Sequence, residues 1–315
     1  MSKSDFLIYH TGALGDFITI LPALSCLKKQ YQNHRFILLG KPFVSTIALE
    51  NGIVDEVWDI DRAVFAGLYS SGMPDRSLIM MFKTVAKALL FTSSDSPIIT
   101  ALEKAGVQEI YQIDPFPGHA QAALAHLDSV KTKFNIIDSE SYYLKLYAQK
   151  SSCHDSDSAD EKMIAIHPGS GSNLKNWPLD NYCEIRNRLV ASGFTVIWFL
   201  GPAEQSTVIP FDDWVASRLS WRNCAEILHR CLLFVGNDSG MAHFAAAVGR
   251  PVLAVFGPSD WRVWKPYGSK VEICVSNRSC VPCHQTGRAS TACKRACLSD
   301  RTVNDVYAKV LSMLF

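Results

Sequence analysis

Hydrophobic residues along this chain recur in two alternating rhythms. Residues 6–10 and 35–39 have the continuous apolar character of buried strands, whereas residues 18–29 between them carry apolar side chains at helical spacing. That is a βαβ unit. Further strands are predicted at 54–60, 88–92 and 107–113 and helices at 77–87 and 98–105, so the first half reads as a parallel sheet. The rhythm breaks at 151–162, a polar, aperiodic stretch of linker character. It then resumes, with strands at 163–167, 194–200, 232–235 and 251–256 and helices at 180–191, 224–231 and 241–248. Thr302-Val303-Asn304-Asp305 has the form of a capping box that opens a last helix running towards Phe315.

The expectation is an α/β protein with two Rossmann-like, doubly wound parallel-sheet domains, residues 1–150 and 163–315, joined by a linker at 151–162. Such domains leave a cleft at the carboxyl ends of their strands, so function belongs to the loops that follow each strand. A length of 315 residues suits this count.

Composition narrows the partners. With a formal net charge of +1 there is no overall basic field to attract nucleic acid. The apolar stretch at 6–9 is too short for a signal peptide, and 241–256 is interrupted by His243 and Arg250, short of the ~20 apolar residues of a membrane span. A cytoplasmic location is expected. Ten cysteines in this setting suggest reduced thiols or a metal site rather than a disulfide scaffold. Cys280-x-x-Cys283, then Cys293 and Cys297, has two readings, a tetrahedral zinc or iron site or thiols in a loop. Cys26, Cys183, Cys224 and Cys231 sit in apolar helical contexts and read as core.

Several loops carry candidate chemistry. The first strand ends in Thr11-Gly12-Ala13-Leu14-Gly15-Asp16, where glycines admit a ligand to the backbone and a helix N-terminus favours anions. The spacing is not G-x-G-x-x-G, which argues against a nicotinamide dinucleotide. Asp16 has two readings: the N-cap of the following helix, or a general base able to take a proton from an acceptor hydroxyl. In the second half, His167-Pro168-Gly169-Ser170-Gly171-Ser172 followed by Lys175 offers open backbone, hydroxyls and a cation for a diphosphate. Glu204, just past a strand end, is placed either for ribose hydroxyls or to complement a helix dipole. Asn237-Asp238-Ser239-Gly240 opens an alanine-rich helix whose N-terminus, with the Ser239 hydroxyl, suits a phosphate. His243 on its first turn is either a further hydrogen-bonding group or a structural histidine.

Taken in order, these landmarks resemble glycosyltransferase family 9, the ADP-heptose-dependent lipopolysaccharide heptosyltransferases. They are Gly12-Ala13-Leu14-Gly15-Asp16, His167-Pro168-Gly169-Ser170, Lys175 with Trp177-Pro178, Gly201-Pro202-Ala203-Glu204, Asn237-Asp238-Ser239-Gly240 with His243, and Phe256-Gly257-Pro258. The resemblance implies a GT-B fold and an inverting transfer of a heptose or related sugar from an ADP-sugar to a lipopolysaccharide core or other glycan acceptor, without a metal ion or cofactor. By position it implies Asp16 as general base and Lys175 as stabiliser of the leaving diphosphate. Gly15, Ser170, Gly171, Ser172, Glu204, Asp238, Ser239, Gly240 and His243 would contact the donor, and His10 and His119 the acceptor. Family members often carry Arg or Lys two residues before the Gly-x-x-Gly-Asp loop; His10 and Thr11 stand here, which weakens the case for a strongly phosphorylated acceptor. A lipid-linked acceptor would imply peripheral contact with the inner membrane, although no amphipathic basic helix announces it. The alternatives are a nucleotide-binding protein of this fold that has lost turnover, and a glycosyltransferase using another nucleotide sugar or a protein acceptor.

Overall fold

The computed structural model describes residues 4–69, 74–116, 118, 120–138, 140, 142–148, 162–201, 204, 209–283, 293 and 295–315. The chain divides into two compact units, Met1–Tyr142 and Tyr143–Phe315. Residues 143–148 pack with the second unit: the Leu146 N–H donates to the Ala247 carbonyl at 2.9 Å, and the Tyr147 ring lies edge-on to Phe244. Except for Lys162, the linker read at 151–162 lies outside the described residues.

In the first unit, β1 (Asp5–His10), β2 (Arg35–Gly40), β3 (Glu56–Asp59), β4 (Val85–Phe91) and β5 (Glu109–Ile113) form one parallel sheet in the order β3-β2-β1-β4-β5. The helices are α1 (Leu14–Gln30), α2 (Pro42–Glu50), α3 (Arg76–Phe82), α4 (Pro97–Lys104) and α5 (Ala122–Lys133). Every residue of β1 is buried, which is why it reads as an unbroken apolar run: a central parallel strand is covered on both faces. The helix expected at 77–87 ends at Phe82, because Val85 already belongs to β4, and the strand expected at 54–60 contracts to Glu56–Asp59. Helices α2 and α5 were not expected from the sequence pattern.

At the amino end of this sheet, Asp5 is buried and its carboxylate accepts from Arg35 Nε and Nη2 at 2.8 and 3.0 Å and from the Thr84 hydroxyl. This joins β1 to β2 and to the turn before β4. Burial alone would raise the Asp5 carboxyl, but the hydrogen bonds from Arg35 and Thr84 outweigh it and hold the group below its ordinary value.

In the second unit, β6 (Met163–His167), β7 (Thr195–Leu200), β8 (Trp214–Ser217), β9 (Cys231–Asn237), β10 (Val252–Phe256) and β11 (Val271–Val275) form a parallel sheet in the order β11-β10-β9-β6-β7-β8. Around it lie α6 (Leu179–Ala191), α7 (Trp221–Arg230), α8 (Gly240–Val248), α9 (Trp261–Trp264), α10 (Ala296–Ser299) and α11 (Val303–Leu314). Ile164, Trp198, Leu233 and Val255 of the strands pack with Tyr182 and Ile185 of α6 and Val306 and Val310 of α11 into one core. The predicted capping box is formed: Thr302 Oγ1 accepts from the Asp305 N–H at 3.2 Å and Asp305 Oδ2 from the Thr302 N–H at 3.0 Å. Strands β8 and β11 escaped prediction; β8 is a four-residue edge strand whose Trp214 and Val215 are exposed. Cys26, Cys224 and Cys231 are buried and Cys183 packs at the edge of the core, as expected of structural thiols. Among the described residues no helix is long and apolar enough to cross a membrane.

Replacing Asp5 by Ala strands the Arg35 guanidinium and the Thr84 hydroxyl, and should lower the unfolding free energy by about 2 kcal/mol, read from the urea midpoint.

Candidate functional site

In each sheet the strand order reverses at one place, between β1 and β4 and between β6 and β9. The carboxyl ends of the strands flanking such a switch diverge, and the connections leave on opposite sides, so the space between them is the natural ligand site of an open parallel sheet. In the second unit the loops after β6 and β9 meet there. They hold most of the residues singled out from the sequence.

Asn237, the last residue of β9, is fully buried and spans this reversal. Its Oδ1 accepts from the Trp177 N–H at 2.9 Å and the Tyr182 hydroxyl at 2.8 Å, while Nδ2 donates to the carbonyls of Pro168 at 2.7 Å and Gly169 at 3.3 Å. One amide therefore fixes both ends of the 168–177 loop. Within the loop, the buried Ser170 Oγ lies 2.7 Å from the Ser172 carbonyl and 2.6 Å from Asn176 Oδ1, and accepts from the Ser172 N–H at 3.2 Å. Its single proton serves one of the two acceptors at a time. Ser172 caps the short 3-10 turn Asn173–Lys175 by accepting from the Leu174 N–H at 3.4 Å. A Cβ on Gly171 would meet nothing, so the backbone there is open to approach.

The turn delivers Lys175 to the N-terminus of α8. Its ammonium lies 2.8 Å from Asp238 Oδ2, with Lys175 about one-third exposed and Asp238 buried. This is an ionic contact without hydrogen-bond alignment, and Asp238 Oδ2 has no hydrogen-bond donor among the described residues. Ser239 caps α8, its hydroxyl accepting from the Ala242 N–H at 3.3 Å, and Gly240 forms the first helical position. His243, one turn on, is buried. Desolvation pushes it down to about 4, with Lys175 acting in the same direction and Asp238 and the Trp264 backbone opposing. The site thus combines a cation, a buried carboxylate, a neutral imidazole and a helix N-terminus, an arrangement suited to a ligand with both anionic groups and hydroxyls.

Glu204 lies beside the same loop. It is buried, and its Oε2 accepts from the Gly201 N–H at 2.8 Å, so the carboxylate caps the turn after β7. A Cβ built on Gly169 would come within 1.9 Å of Glu204 Oε1, so glycine is required there by this close approach. Behind it, His167 is buried with Nδ1 2.8 Å from the Phe199 carbonyl; burial lowers its proton affinity, while the carbonyl and Glu204 act in the opposite sense.

In the first unit, Asp16 follows β1 on the first turn of α1. The N-cap is Ala13, not Asp16; Asp16 is the third helical residue, and its Oδ2 reaches back to the Ala13 N–H at 3.2 Å. Alanine has no side-chain acceptor to return this bond, so only half of a capping box exists. Gly15 precedes it in the helix. His10 closes β1 as a buried ring against Phe17, centroids 5.4 Å apart, and is pushed down to about 3 by burial and then by His126 and Lys41. It presents a neutral imidazole rather than a cation. His119 lies outside the described residues.

Residues 121–293 match the family model described as glycosyltransferase family 9 (heptosyltransferase). The chain belongs to glycosyltransferase family 9. Lipopolysaccharide heptosyltransferase 3 of Escherichia coli K12 is 21% identical over 295 residues, which is 84% of each chain. Among solved structures, a glycosyl transferase family 9 protein from Veillonella parvula superimposes with a TM-score of 0.79 at 16% identity, covering 100% of this chain and 98% of that one. The E. coli ADP-heptose lipopolysaccharide heptosyltransferase II gives 0.73 at 18% identity, covering 98% of each. The fold is accordingly GT-B, and the protein is a glycosyltransferase.

For this family 9 chain, the fold brings Ser170, Ser172, Lys175, Asp238, Ser239, Gly240 and His243 to one switch point and sets Glu204 against the same loop, while Asp16 and His10 follow β1 in the other unit. Sequence reading missed Asn237 as a positioning group, although it stands inside the Asn237-Asp238-Ser239-Gly240 landmark. Its signal was available: an amide at the end of a wholly apolar strand needs several buried partners.

Replacing Asn237 by Ala unpairs up to four buried groups and should lower stability by about 3 kcal/mol, with weaker nucleotide binding by the folded fraction; urea unfolding and calorimetry check both. His243 gives a pH signature. Its folded value of about 4 lies below its ordinary 6.5, so the unfolded chain binds the proton more readily, and stability falls as pH drops from about 6.5 towards 4. The slope attributable to this group approaches ~1.4 kcal/mol per pH unit. Urea midpoints between pH 7.5 and 5 should show the fall, flattened in His243→Gln.

Proposed function

We propose that this protein transfers a heptose or related sugar from an ADP-sugar to a hydroxyl of a lipopolysaccharide core or other glycan acceptor, with inversion at the anomeric carbon and no metal ion in the transfer step. The observation that carries the reading is the Lys175–Asp238 pair at the N-terminus of α8, beside the neutral His243. Lys175 would face the diphosphate, with the Ser172 hydroxyl and the open backbone at Gly171 alongside. As the glycosidic C–O bond breaks, its electron pair passes to the diphosphate, whose growing charge the ammonium and the α8 N–H groups stabilise. Asp238 Oδ2, buried without a hydrogen-bond donor, would accept one from a hydroxyl of the donor sugar. Glu204, buried near the same loop, would take the ribose hydroxyls, and Ser170 would hold the loop that frames them.

On the first unit, Asp16 would receive the proton of the acceptor hydroxyl as its oxygen attacks the anomeric carbon. His10, neutral and buried, is read with His119 as part of the acceptor side. A neutral imidazole favours an acceptor recognised by hydrogen bonds over one gripped by its phosphates. The support for the donor is that a structural neighbour is an ADP-heptose enzyme and that the curated relative is a lipopolysaccharide heptosyltransferase. A lipid-linked acceptor would bring the protein to the cytoplasmic face of the inner membrane as a peripheral visitor.

Because Lys175 acts mainly on the developing leaving group, Lys175→Ala should lower kcat by at least about a hundredfold while weakening ADP binding less. The check is calorimetric titration of parent and variant with ADP, UDP and GDP, followed by transfer assays from ADP-heptose without added divalent metal. Preference for UDP or GDP would replace the sugar and keep the reaction class. Nucleotide binding with neither transfer nor hydrolysis would favour a protein that kept the fold and lost turnover.

A further inference from the structure

The segment 295–301, which runs through α10 towards α11, shares no residue with the nucleotide loops, yet it bonds the loop that carries Lys175 at two points. Arg295 Nη1 donates to the Asn173 carbonyl at 2.8 Å, and the Arg301 carbonyl accepts from Trp177 Nε1 at 2.9 Å. The first bond meets the opening residue of the 3-10 turn Asn173–Lys175, and the second lies two residues past its end. The segment is itself fixed. Cys297 and Leu298 are buried in the core of the second unit, and Leu298 packs so closely on Gly257 that a Cβ there would lie 2.9 Å from its side chain. Asp300 is held by Arg278 in a two-pronged pair, Nη2 to Oδ1 at 2.9 Å and Nε to Oδ2. Among the described residues the cysteines of this region do not gather into a metal-holding group.

The turn needs an outside anchor. None of its residues is buried and Leu174 is exposed, so no apolar contact locates it. Its own bonds are the Lys175 N–H to the Ser172 carbonyl at 2.9 Å, the Asn176 N–H to the Asn173 carbonyl at 3.4 Å and the Leu174 N–H to the Ser172 hydroxyl at 3.4 Å, the last two long for such bonds. Asn237 fixes the loop at Pro168, Gly169 and Trp177, on either side of the turn. Arg295 bonds the turn itself, by a short bond from a charged donor.

The backbone of Arg295 points the same way. It stands at φ 56° and ψ 40°, in the left-handed region that favours glycine, and its carbonyl accepts from the N–H groups of Leu298 and Ser299 at 2.9 and 3.2 Å to open α10. Glycine would serve that backbone with less strain. What an arginine adds is its side chain, and the side chain reaches Asn173.

We propose that Arg295 is a positioning residue for Lys175, holding the 173–175 turn so that the ammonium meets the leaving diphosphate in place. The proposal rests on the reading of Lys175 as the leaving-group stabiliser. Arg295 makes and breaks no bond in the reaction; a loosened turn costs turnover more than binding, because Lys175 acts chiefly in the transition state.

The test uses Arg295→Gly, which removes the side chain while suiting the left-handed backbone, Arg295→Lys, which keeps one N–H donor, Lys175→Ala, and the double variant Arg295→Gly with Lys175→Ala. Hydrogen–deuterium exchange across residues 172–177 should quicken in Arg295→Gly and return towards the parent rate in Arg295→Lys. With ADP-heptose, Arg295→Gly should lower kcat about tenfold and change KM less than about threefold, with partial rescue in Arg295→Lys. In the Lys175→Ala background the same substitution should cost nothing further, since two groups acting as one unit are not additive. Parent-like exchange in Arg295→Gly would overturn the proposal, as would a loss that adds in full to that of Lys175→Ala. Turnover lost in Lys175→Ala but kept in Arg295→Gly overturns this proposal alone, whereas turnover kept in Lys175→Ala overturns the leaving-group reading and this proposal together.

Discussion

The four hydrogen bonds of the Asn237 side chain are the constraint on which the second unit's chemistry depends. They cross from the end of β9 to both ends of the loop after β6, over the place where the strand order reverses. A parallel sheet creates an opening at such a reversal but leaves the loops around it unspecified. A fully buried amide has strong reason to make all of its bonds, since an unpaired donor or acceptor there costs about as much as the bond is worth. The loop is therefore held by its carbonyls and its tryptophan N–H, with Ser170 bonded to Ser172 and Asn176 inside it, and Lys175 projects from it beside Asp238.

That arrangement explains the electrostatics of the neighbouring group. Lys175 is placed beside the buried Asp238 carboxylate and the α8 N-terminus, and His243 beneath them is kept neutral chiefly by burial. A cation held by a carboxylate loses little further conformational freedom when an anionic ligand arrives, which is the preorganisation a leaving-group stabiliser needs. Glu204 and Gly169 show the same logic sterically: the carboxylate sits where any larger residue at 169 would have its Cβ.

Particular elements mark where sequence reading succeeded. Strands β1, β6 and β10 are central, buried on both faces and bounded by turn residues, so their apolar runs identified them directly. The capping box at Thr302 and Asp305 was legible because both halves are local. By contrast, of the two readings of Asp16 the N-cap one does not hold, since the helix begins two residues before it, on Leu14, and no side chain at Ala13 announces that start. Strand β8 was missed because an edge strand half open to solvent lacks the apolar run that marks its interior neighbours.

The sequence by itself determined the two α/β halves, the order of the loops that could carry chemistry, and the resemblance to the family to which the chain belongs. Those are properties of local periodicity and of short motifs, readable one segment at a time. Only the tertiary structure decided that Asn237 ties residues 168–177 to β9, that Lys175 pairs with Asp238, and that Arg295 reaches the Asn173 carbonyl. Each of these joins residues far apart in the chain, and such contacts follow from strand order and packing, which no window of sequence contains.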